Sequence, residues 1–177
     1  VWMSRSSLVW GPFSIIWGMA IVAATILLHK DREKPDRYLF MVGTFLGGAY
    51  EYLCSVFAEL FFGKVFWDYS GIPFNLGGRI NLLYCFFWGI AAVIWIKVLY
   101  PRISDWIEKI PKLTGYIVTW CLILFMAANM VVSAAALVRY DQRAQGDTPD
   151  NAVEKLIDTR FDDARMEKIY PNAKSAR

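Results

Sequence analysis

Four apolar runs constrain this chain more than any other feature, because each is close to the ~20 residues with which a helix crosses the hydrocarbon core of a bilayer. They cover residues 11–28, 38–62, 80–100 and 115–138. Lipid offers no hydrogen-bond partner to backbone groups, so runs of this length must form helices. The sequence therefore predicts an all-α fold, a polytopic membrane helix bundle with four transmembrane helices.

Composition supports a membrane protein and argues against other classes. Hydrophobic residues make up 56% of the chain and charged residues 20%, whereas charged residues reach about 25% in soluble domains. A formal net charge of +3 is too small to indicate a nucleic-acid partner. The three cysteines, Cys54, Cys85 and Cys121, lie inside apolar runs without the spacing of metal ligands or disulfides, so we expect neither a metal nor a cofactor.

The chain divides by composition into a transmembrane domain over residues 1–139 and a polar tail over residues 140–177. In the tail, apolar residues recur at helical spacing between charges, which predicts a short amphipathic helix. Thr148 is its expected N-cap. The first ten residues lack the basic segment and short apolar core of a cleavable signal peptide, so we expect none.

Lysine and arginine are unevenly distributed among the loops. The segments 29–37 and 102–114 contain several of them, whereas loop 63–79 contains only Lys64 and Arg79. Loops rich in Lys and Arg stay in the cytoplasm. Loop 63–79 and both chain ends are therefore predicted to be extracytoplasmic.

Glu51 lies near the middle of the second run, about 18 Å along the helix from Gly63. A carboxylate at that depth costs roughly 2.5–3.5 kcal/mol on insertion scales unless it is paired, hydrated or protonated. No basic residue lies in the middle of any run, so we interpret Glu51 as a functional residue. Glu59 follows two helical turns later, about 80° around the helix, and the two carboxylates can line one polar groove.

Polar and aromatic side chains converge where the second run ends and the third begins. They are Trp67, Asp68, Tyr69, Asn75 and Arg79. Arg79 is placed to neutralise Glu59 or Asp68, and a bidentate guanidinium–carboxylate pair is the natural arrangement. A purely structural ion pair and an aromatic belt at the level of the lipid headgroups are the alternatives for this region.

Small and polar residues within the runs indicate how the helices meet. Gly43 and Gly47 form a GxxxG pattern in the second run, which is typical of closely packed membrane helices. Asn129 is a polar outlier in the fourth run, and we interpret it as a structural residue that hydrogen-bonds across helices. Both features predict packing rather than chemistry.

A series of short motifs within residues 10–102 resembles one known family. In chain order the motifs are Gly11-Pro12-Phe13, Ile16-Trp17-Gly18, Leu46-Gly47, Glu51-Tyr52-Leu53 with Ser55, Trp67-Asp68-Tyr69-Ser70, Pro73-Phe74-Asn75, Gly78-Arg79-Ile80, Leu82-Leu83 and Phe87-Trp88-Gly89. On these motifs the chain resembles the bacterial membrane proteins of the ABC-transporter type IV permease family.

The resemblance implies a permease component of a transporter in the bacterial plasma (inner) membrane, and a further helix upstream of Val1. The ATPase would be a separate chain, contacted from the cytoplasm by segment 29–37 or 102–114, because this sequence has no GxxxxGK[ST] phosphate loop. A unit of four spans would also need to form a homo-oligomer to enclose a path.

Three functional hypotheses remain open. In the first, the chain is a transporter component, and its polar path is formed by Glu51, Glu59, Asp68, Asn75, Arg79, Trp67 and Tyr69. In the second, a membrane-embedded enzyme uses Glu59 and Asp68 as acid and base, although the sequence has no catalytic arrangement of His, Cys or Ser. In the third, the chain is a non-transporting assembly partner, and its polar residues only hold the bundle together.

Overall fold

The computed structural model describes residues 2–3, 8–170 and 174–175. They are mostly helical, which confirms the predicted class. The helices are α1 (Ile15–Leu28), α2 (Asp36–Phe62), α3 (Leu82–Ile94), α4 (Tyr100–Glu108), α5 (Lys112–Ala144), α6 (Ala152–Arg160) and α7 (Asp163–Ile169). Short strands are β1 (Trp2–Met3), β2 (Lys64–Val65), β3 (Trp67–Asp68), β4 (Asn75–Leu76), β5 (Ile80–Asn81) and β6 (Lys174–Ser175).

Three helices among the described residues are long and apolar enough to cross a membrane: Asp36–Phe61, Leu82–Glu108 and Lys112–Ala144. The first apolar run is helical only from Ile15, so α1 has 14 residues and a length of about 21 Å, below the ~30 Å of the hydrocarbon core. The reason is local. Gly11 has a φ of +81°, and Pro12 disfavours the helical conformation of the residue before it.

The third span continues through Pro101, where the apolar run ends. A π-helical turn at Trp95–Leu99 joins α3 to α4, and the Tyr100 N–H donates to the Trp95 carbonyl five residues back. Proline has no N–H and normally interrupts a helix, so the wider turn accommodates it. The helix then extends to Glu108 and includes much of the segment 102–114 that follows the run.

Helices α2 and α3 pack closely through small residues. A Cβ atom on Gly43 would lie 2.5 Å from the Ala92 Cβ, and one on Gly47 would overlap the Trp88 side chain. Such contacts exist only because the two backbones approach each other directly. Near the turn at residues 29–37, the interface ends in a buried apolar cluster of Leu28, Leu39, Ala92 and Ile96.

Helix α5 spans about 50 Å, more than the hydrocarbon core requires, so its last turns extend beyond the core. There Arg139 and Arg143 both donate to the Asp158 carboxylate of α6, at 2.6 and 2.5 Å. These hydrogen bonds hold the pKa of the Asp158 carboxyl below its usual value. The tail is thereby fixed to the end of α5.

The tail forms two short helices where the sequence predicted one. Asn151, three residues after Thr148, caps α6 by accepting from the Glu154 N–H at 2.9 Å. The Glu154 carboxylate accepts from the Asp150 N–H at 2.7 Å and from the Asn151 side-chain amide at 2.9 Å, which further fixes the start of α6. Phe161 and Met166 of the tail are buried in a cluster with residues of α5 and the N-terminal segment.

Two short antiparallel strand pairs join the chain ends to loop 63–79, and a third lies where the loop meets α3. Strand β1 pairs with β3, β2 pairs with β6, and β4 pairs with β5. Trp2 lies opposite Asp68, and Lys64 lies opposite Ser175. Loop 63–79 and both ends of the chain therefore lie at the same end of the bundle.

We expect Gly43→Leu to destabilise the protein by about 1–3 kcal/mol, because the new side chain must push α2 away from α3. The measurement is the thermal unfolding midpoint of the purified protein in detergent. Gly18→Leu is the matched control, since a Cβ atom on Gly18 meets nothing within 4 Å. Equal midpoints for the two variants would contradict the close packing of α2 and α3.

Candidate functional site

The candidate site begins with a polar stripe on α2, formed by Glu51, Ser55 and Glu59. These residues are spaced four apart and therefore lie on the same side of the helix. Glu51 is 9% exposed and Ser55 is also buried, whereas Glu59 is partly exposed near the end of the helix. The stripe thus extends from the middle of a membrane-spanning helix to the end at loop 63–79.

Both oxygens of the Glu51 carboxylate accept hydrogen bonds from aromatic side chains. The Tyr69 hydroxyl donates to Oε1 at 2.7 Å, and the Trp88 indole donates from Nε1 to Oε2 at 3.0 Å. Tyr69 is fully buried, and its ring is stacked on Tyr84 with 4.7 Å between centroids. Glu51 has no ion-pair partner among the described residues, so neutral donors alone satisfy it.

The position of Tyr69 shows that loop 63–79 folds back along α2. Glu51 lies about 18 Å before Gly63 along the helix, so a loop extending away from the helix end could not reach it. Burial raises the pKa of the Tyr69 hydroxyl above its usual range, and the hydrogen bond to Glu51 raises it further. Tyr69 therefore keeps its proton and remains a donor.

Hydrogen bonds within the loop fix its shape. The Asn75 side chain donates to the Ile72 carbonyl at 2.8 Å and accepts from the Gly78 N–H at 3.0 Å. The Trp67 indole donates to the Arg79 carbonyl at 2.8 Å. Trp67 and Asn75, predicted as part of a polar path, thus make contacts that hold the loop together.

Gly78 and Asp68 form the tightest part of the loop. Gly78 has a φ of +70°, and a Cβ atom there would lie 2.6 Å from the Asp68 carboxylate. Asp68 accepts from the Ser70 N–H at 2.8 Å, as in an Asx turn. The sequence left Glu59 and Asp68 as expected partners of Arg79. In the structure, Asp68 accepts a hydrogen bond within its own turn.

Arg79 connects the loop to the outer half of the stripe. Its Nη2 is paired with the Glu59 carboxylate, and its Nη1 donates to the Ser55 hydroxyl at 3.1 Å. The guanidinium also lies over the Tyr52 ring, 5.9 Å from its centroid. The predicted pair with Glu59 is present, but the two donor nitrogens are divided between Glu59 and Ser55 instead of forming a bidentate contact.

The sequence did not predict that Trp88 donates a hydrogen bond to Glu51. It lies 37 residues further along the chain, and nothing in the local pattern of α3 distinguishes it from the other aromatic residues there. Its only signal was its place in the Phe87-Trp88-Gly89 motif. A long-range hydrogen bond of this kind depends on how α2 and α3 are aligned, which an apolar run does not encode.

A second polar contact joins α5 to the N-terminal segment. Asn129 is fully buried, and its amide both donates to the Trp10 carbonyl at 2.8 Å and accepts from the Trp10 N–H at 3.2 Å. Ser133, one turn later, accepts from the Val9 N–H at 2.9 Å. Asn129 and Ser133 thus provide hydrogen-bond partners for the non-helical backbone of Val9 and Trp10, beside the middle of a membrane-spanning helix. Lipid could not provide such partners at that depth.

In the described part of the chain, no three His, Cys, Asp or Glu side chains come together in a group that could hold a metal ion. The site is thus a hydrogen-bonded set of two carboxyl groups, one guanidinium and several aromatic side chains.

Long apolar helices and a polar stripe covered by a folded loop define a helical integral membrane protein. The family model described as "Putative ABC-transporter type IV" matches residues 1–134, and the chain belongs to this family. No curated protein and no solved structure matches the chain.

Tyr69→Phe should destabilise the protein by about 1–3 kcal/mol, because one oxygen of the buried Glu51 carboxylate loses its donor. The readout is again the thermal unfolding midpoint in detergent. Tyr84→Phe is the matched control, since it retains the stacked ring and its hydroxyl makes no hydrogen bond among the described residues. If both variants unfold at the same temperature, the Tyr69–Glu51 bond contributes nothing to stability.

Proposed function

We propose that this chain is the permease component of an ABC-type transporter in the bacterial inner membrane. The polar path runs along the stripe of Glu51, Ser55 and Glu59. The observation that carries the proposal is that this stripe reaches the middle of a membrane-spanning helix, where an unneeded carboxyl group is expensive. Membership of the ABC-transporter type IV family supports it.

Loop 63–79 closes the path in the described conformation. Tyr69 donates a hydrogen bond to one oxygen of Glu51. Arg79 donates to Ser55 and forms an ion pair with Glu59. A solute that binds the stripe must replace these donors, so transport requires the loop to move away from α2. Arg79, Asp68 and Asn75, with Trp67 and Tyr69, then form the outer mouth of the path.

The charge of the stripe favours cations. The stripe has two carboxyl groups and is contacted by one guanidinium, that of Arg79, and the inner carboxyl group has only neutral donors. A site of this composition attracts a cationic solute, or a proton, more strongly than an anion.

Four crossings complete the proposed topology. Helix α1 is the short first span, extended by a 3₁₀ turn at His29–Asp31. Residues 8–14 complete this crossing, and Ser133 and Asn129 hydrogen-bond to the backbone of Val9 and Trp10 there. Loop 63–79 and both chain ends face outward. The ATPase binds from the cytoplasm at segment 29–37 or 102–114, and copies of the chain associate to enclose the path.

Single cysteines test this orientation. In a background where Cys54, Cys85 and Cys121 are replaced by Ala, we expect Ser70→Cys to react with a membrane-impermeant maleimide in intact cells. Lys34→Cys should react only after the membrane is permeabilised. Both native residues are exposed, so access depends on the side of the membrane alone. Labelling of Lys34→Cys but not Ser70→Cys in intact cells would reverse the topology.

Glu51→Gln tests the function itself. The glutamine amide can donate to the Tyr69 oxygen while its carbonyl accepts from Trp88, so the variant keeps the local hydrogen bonds and loses only the ionisable group. We expect an unchanged thermal midpoint but roughly a tenfold or greater loss of transport-dependent growth in a strain that lacks the native gene, because the variant loses the ionisable group. Glu33→Gln, at a solvent-exposed position, is the control.

A second candidate function, that of a non-transporting assembly partner, is favoured by one observation. Every group of the stripe already has a hydrogen-bond partner within the chain. If Glu51→Gln supports full growth, the carboxyl group is not part of a transport path. If it lowers the thermal midpoint and growth together, the structural role is the better explanation. Co-purification of an ATPase subunit with the wild-type chain would favour the permease.

A further inference from the structure

Residues 64–68, which directly precede Tyr69, are attached to both ends of the chain. Strand β2 pairs with β6 of the tail, and β3 pairs with β1. Between β2 and β3, Phe66 packs against a buried cluster to which the tail contributes Phe161, Met166 and Tyr170. The first part of loop 63–79 is therefore held by segments that belong to neither α2 nor α3.

The tail is in turn anchored to the last turns of α5 by ion pairs of low exposure. The side chain of Arg139 is 5% exposed and that of its partner Asp158 is 15% exposed. Arg143 pairs with Asp158 and also with Asp163 at the start of α7, and it donates to the Phe161 carbonyl at 2.9 Å. Removing one partner of a buried ion pair is costly, so Asp158 is the central point of this anchor.

The attached residues 64–68 limit how far Tyr69 can move. Phe66 precedes Tyr69 by three residues, and three residues span at most about 10 Å even when fully extended. The Tyr69 N–H also donates to the Gly78 carbonyl at 2.8 Å, which ties it to the residue before Arg79. A movement that takes both Tyr69 and Arg79 away from the polar stripe must therefore displace residues 64–68 and strain their contacts with the tail.

We propose that α6, α7 and β6 form a strap that keeps loop 63–79 closed over the polar stripe, and that release of its anchor at Asp158 lets the loop open. This inference rests on the proposed function in one respect, namely that an open loop gives access to a path. Because the strap is fixed to the end of α5, a displacement of α5 relative to α2 reaches the loop through the strap.

A thiol placed under the loop measures its opening. Ser55 is buried and accepts from Arg79, so Ser55→Cys reacts with a water-soluble methanethiosulfonate only when the loop moves. The full-length protein is used in nanodiscs, and its native cysteines Cys54, Cys85 and Cys121 are replaced by Ala. The rate of labelling is followed by mass spectrometry, and the thermal midpoint of each variant is recorded beside it.

Asp158→Asn tests the anchor of the strap. We expect Ser55→Cys to be labelled roughly tenfold or more faster in this variant, because the ion pairs of Arg139 and Arg143 with Asp158 are lost. Asp150→Asn is the matched control, since it removes an exposed carboxylate of the same tail. It should leave the rate unchanged.

Phe66→Ala tests the same contact from the side of the loop. It removes the ring that packs against the tail cluster and leaves the ion pairs of Asp158 intact, so it remains informative if Asp158→Asn fails to fold. We expect faster labelling of Ser55→Cys here as well. Phe74→Ala is the matched control, because Phe74 belongs to the same loop and is 81% exposed.

A disulfide can close the strap again. Val65 and Lys174 lie directly opposite each other in the pair of β2 and β6. A disulfide between Val65→Cys and Lys174→Cys, formed before labelling, should return Asp158→Asn to the slow rate, and a reductant should reverse this effect. Fast labelling that persists with the disulfide in place would show that the loop opens without the strap.

Equal labelling rates in Asp158→Asn, Phe66→Ala and their controls would overturn the strap. Failure of the proposed function is a different result. Full growth with Glu51→Gln would remove the transport path, but it would not alter the labelling of Ser55→Cys, which reports loop movement alone. The strap and the path can therefore fail separately.

Discussion

The absence of water in the bilayer core is the constraint on which this structure depends. Polar groups at that depth must find partners within the protein, because lipid offers none. Glu51 finds them in Tyr69 and Trp88, and the backbone of Val9 and Trp10 finds them in Ser133 and Asn129. In both cases a segment that the apolar runs do not predict as helix is held beside a spanning helix by buried polar side chains. These two irregular segments are thus held beside spanning helices by buried hydrogen bonds.

The motifs on which the family resemblance rests coincide with this arrangement. Trp67, Asn75 and Gly78 shape loop 63–79, and Tyr69 and Arg79 attach it to the stripe on α2. The motifs of loop 63–79, together with Glu51 and Ser55, therefore describe one structural unit, a loop folded against a polar helix face. This unit brings the polar side chains of the loop against a membrane-spanning helix.

The sequence predicted the fold well where apolar length decides the outcome and less well where backbone chemistry does. The second, third and fourth runs lie in helices long enough to span. The first does not, because Gly11-Pro12 interrupts it, and the third continues past its expected end because a π turn accommodates Pro101. Both departures depend on proline and its neighbours, whose effect is decided by the conformation of the preceding turn.

The sequence indicated several residues of the candidate site, but it did not indicate most of the contacts between them. Glu51 and Glu59 stand out as acids in an apolar run, and Glu59 was one of the two partners expected for Arg79, the other being Asp68. The donors to Glu51 were not visible, since Tyr69 belongs to a loop expected to lie at the helix end and Trp88 to a different helix. The contacts of Glu51 depend on how far loop 63–79 folds back along α2 and on how α2 and α3 are aligned. Neither hydropathy nor the number of charged residues specifies these two features.

The two donors of Glu51 sharpen the question of why this residue is a glutamate. Tyr69 and Trp88 would be satisfied equally well by glutamine, whose amide can accept from the indole and donate to the phenol oxygen. Glutamine would avoid the free energy of burying an ionisable group with no cation beside it. A purely structural role therefore explains the hydrogen bonds but not the carboxyl group. What distinguishes glutamate from glutamine here is the capacity to carry a charge or to release a proton, and the proposed path along the stripe would use that capacity.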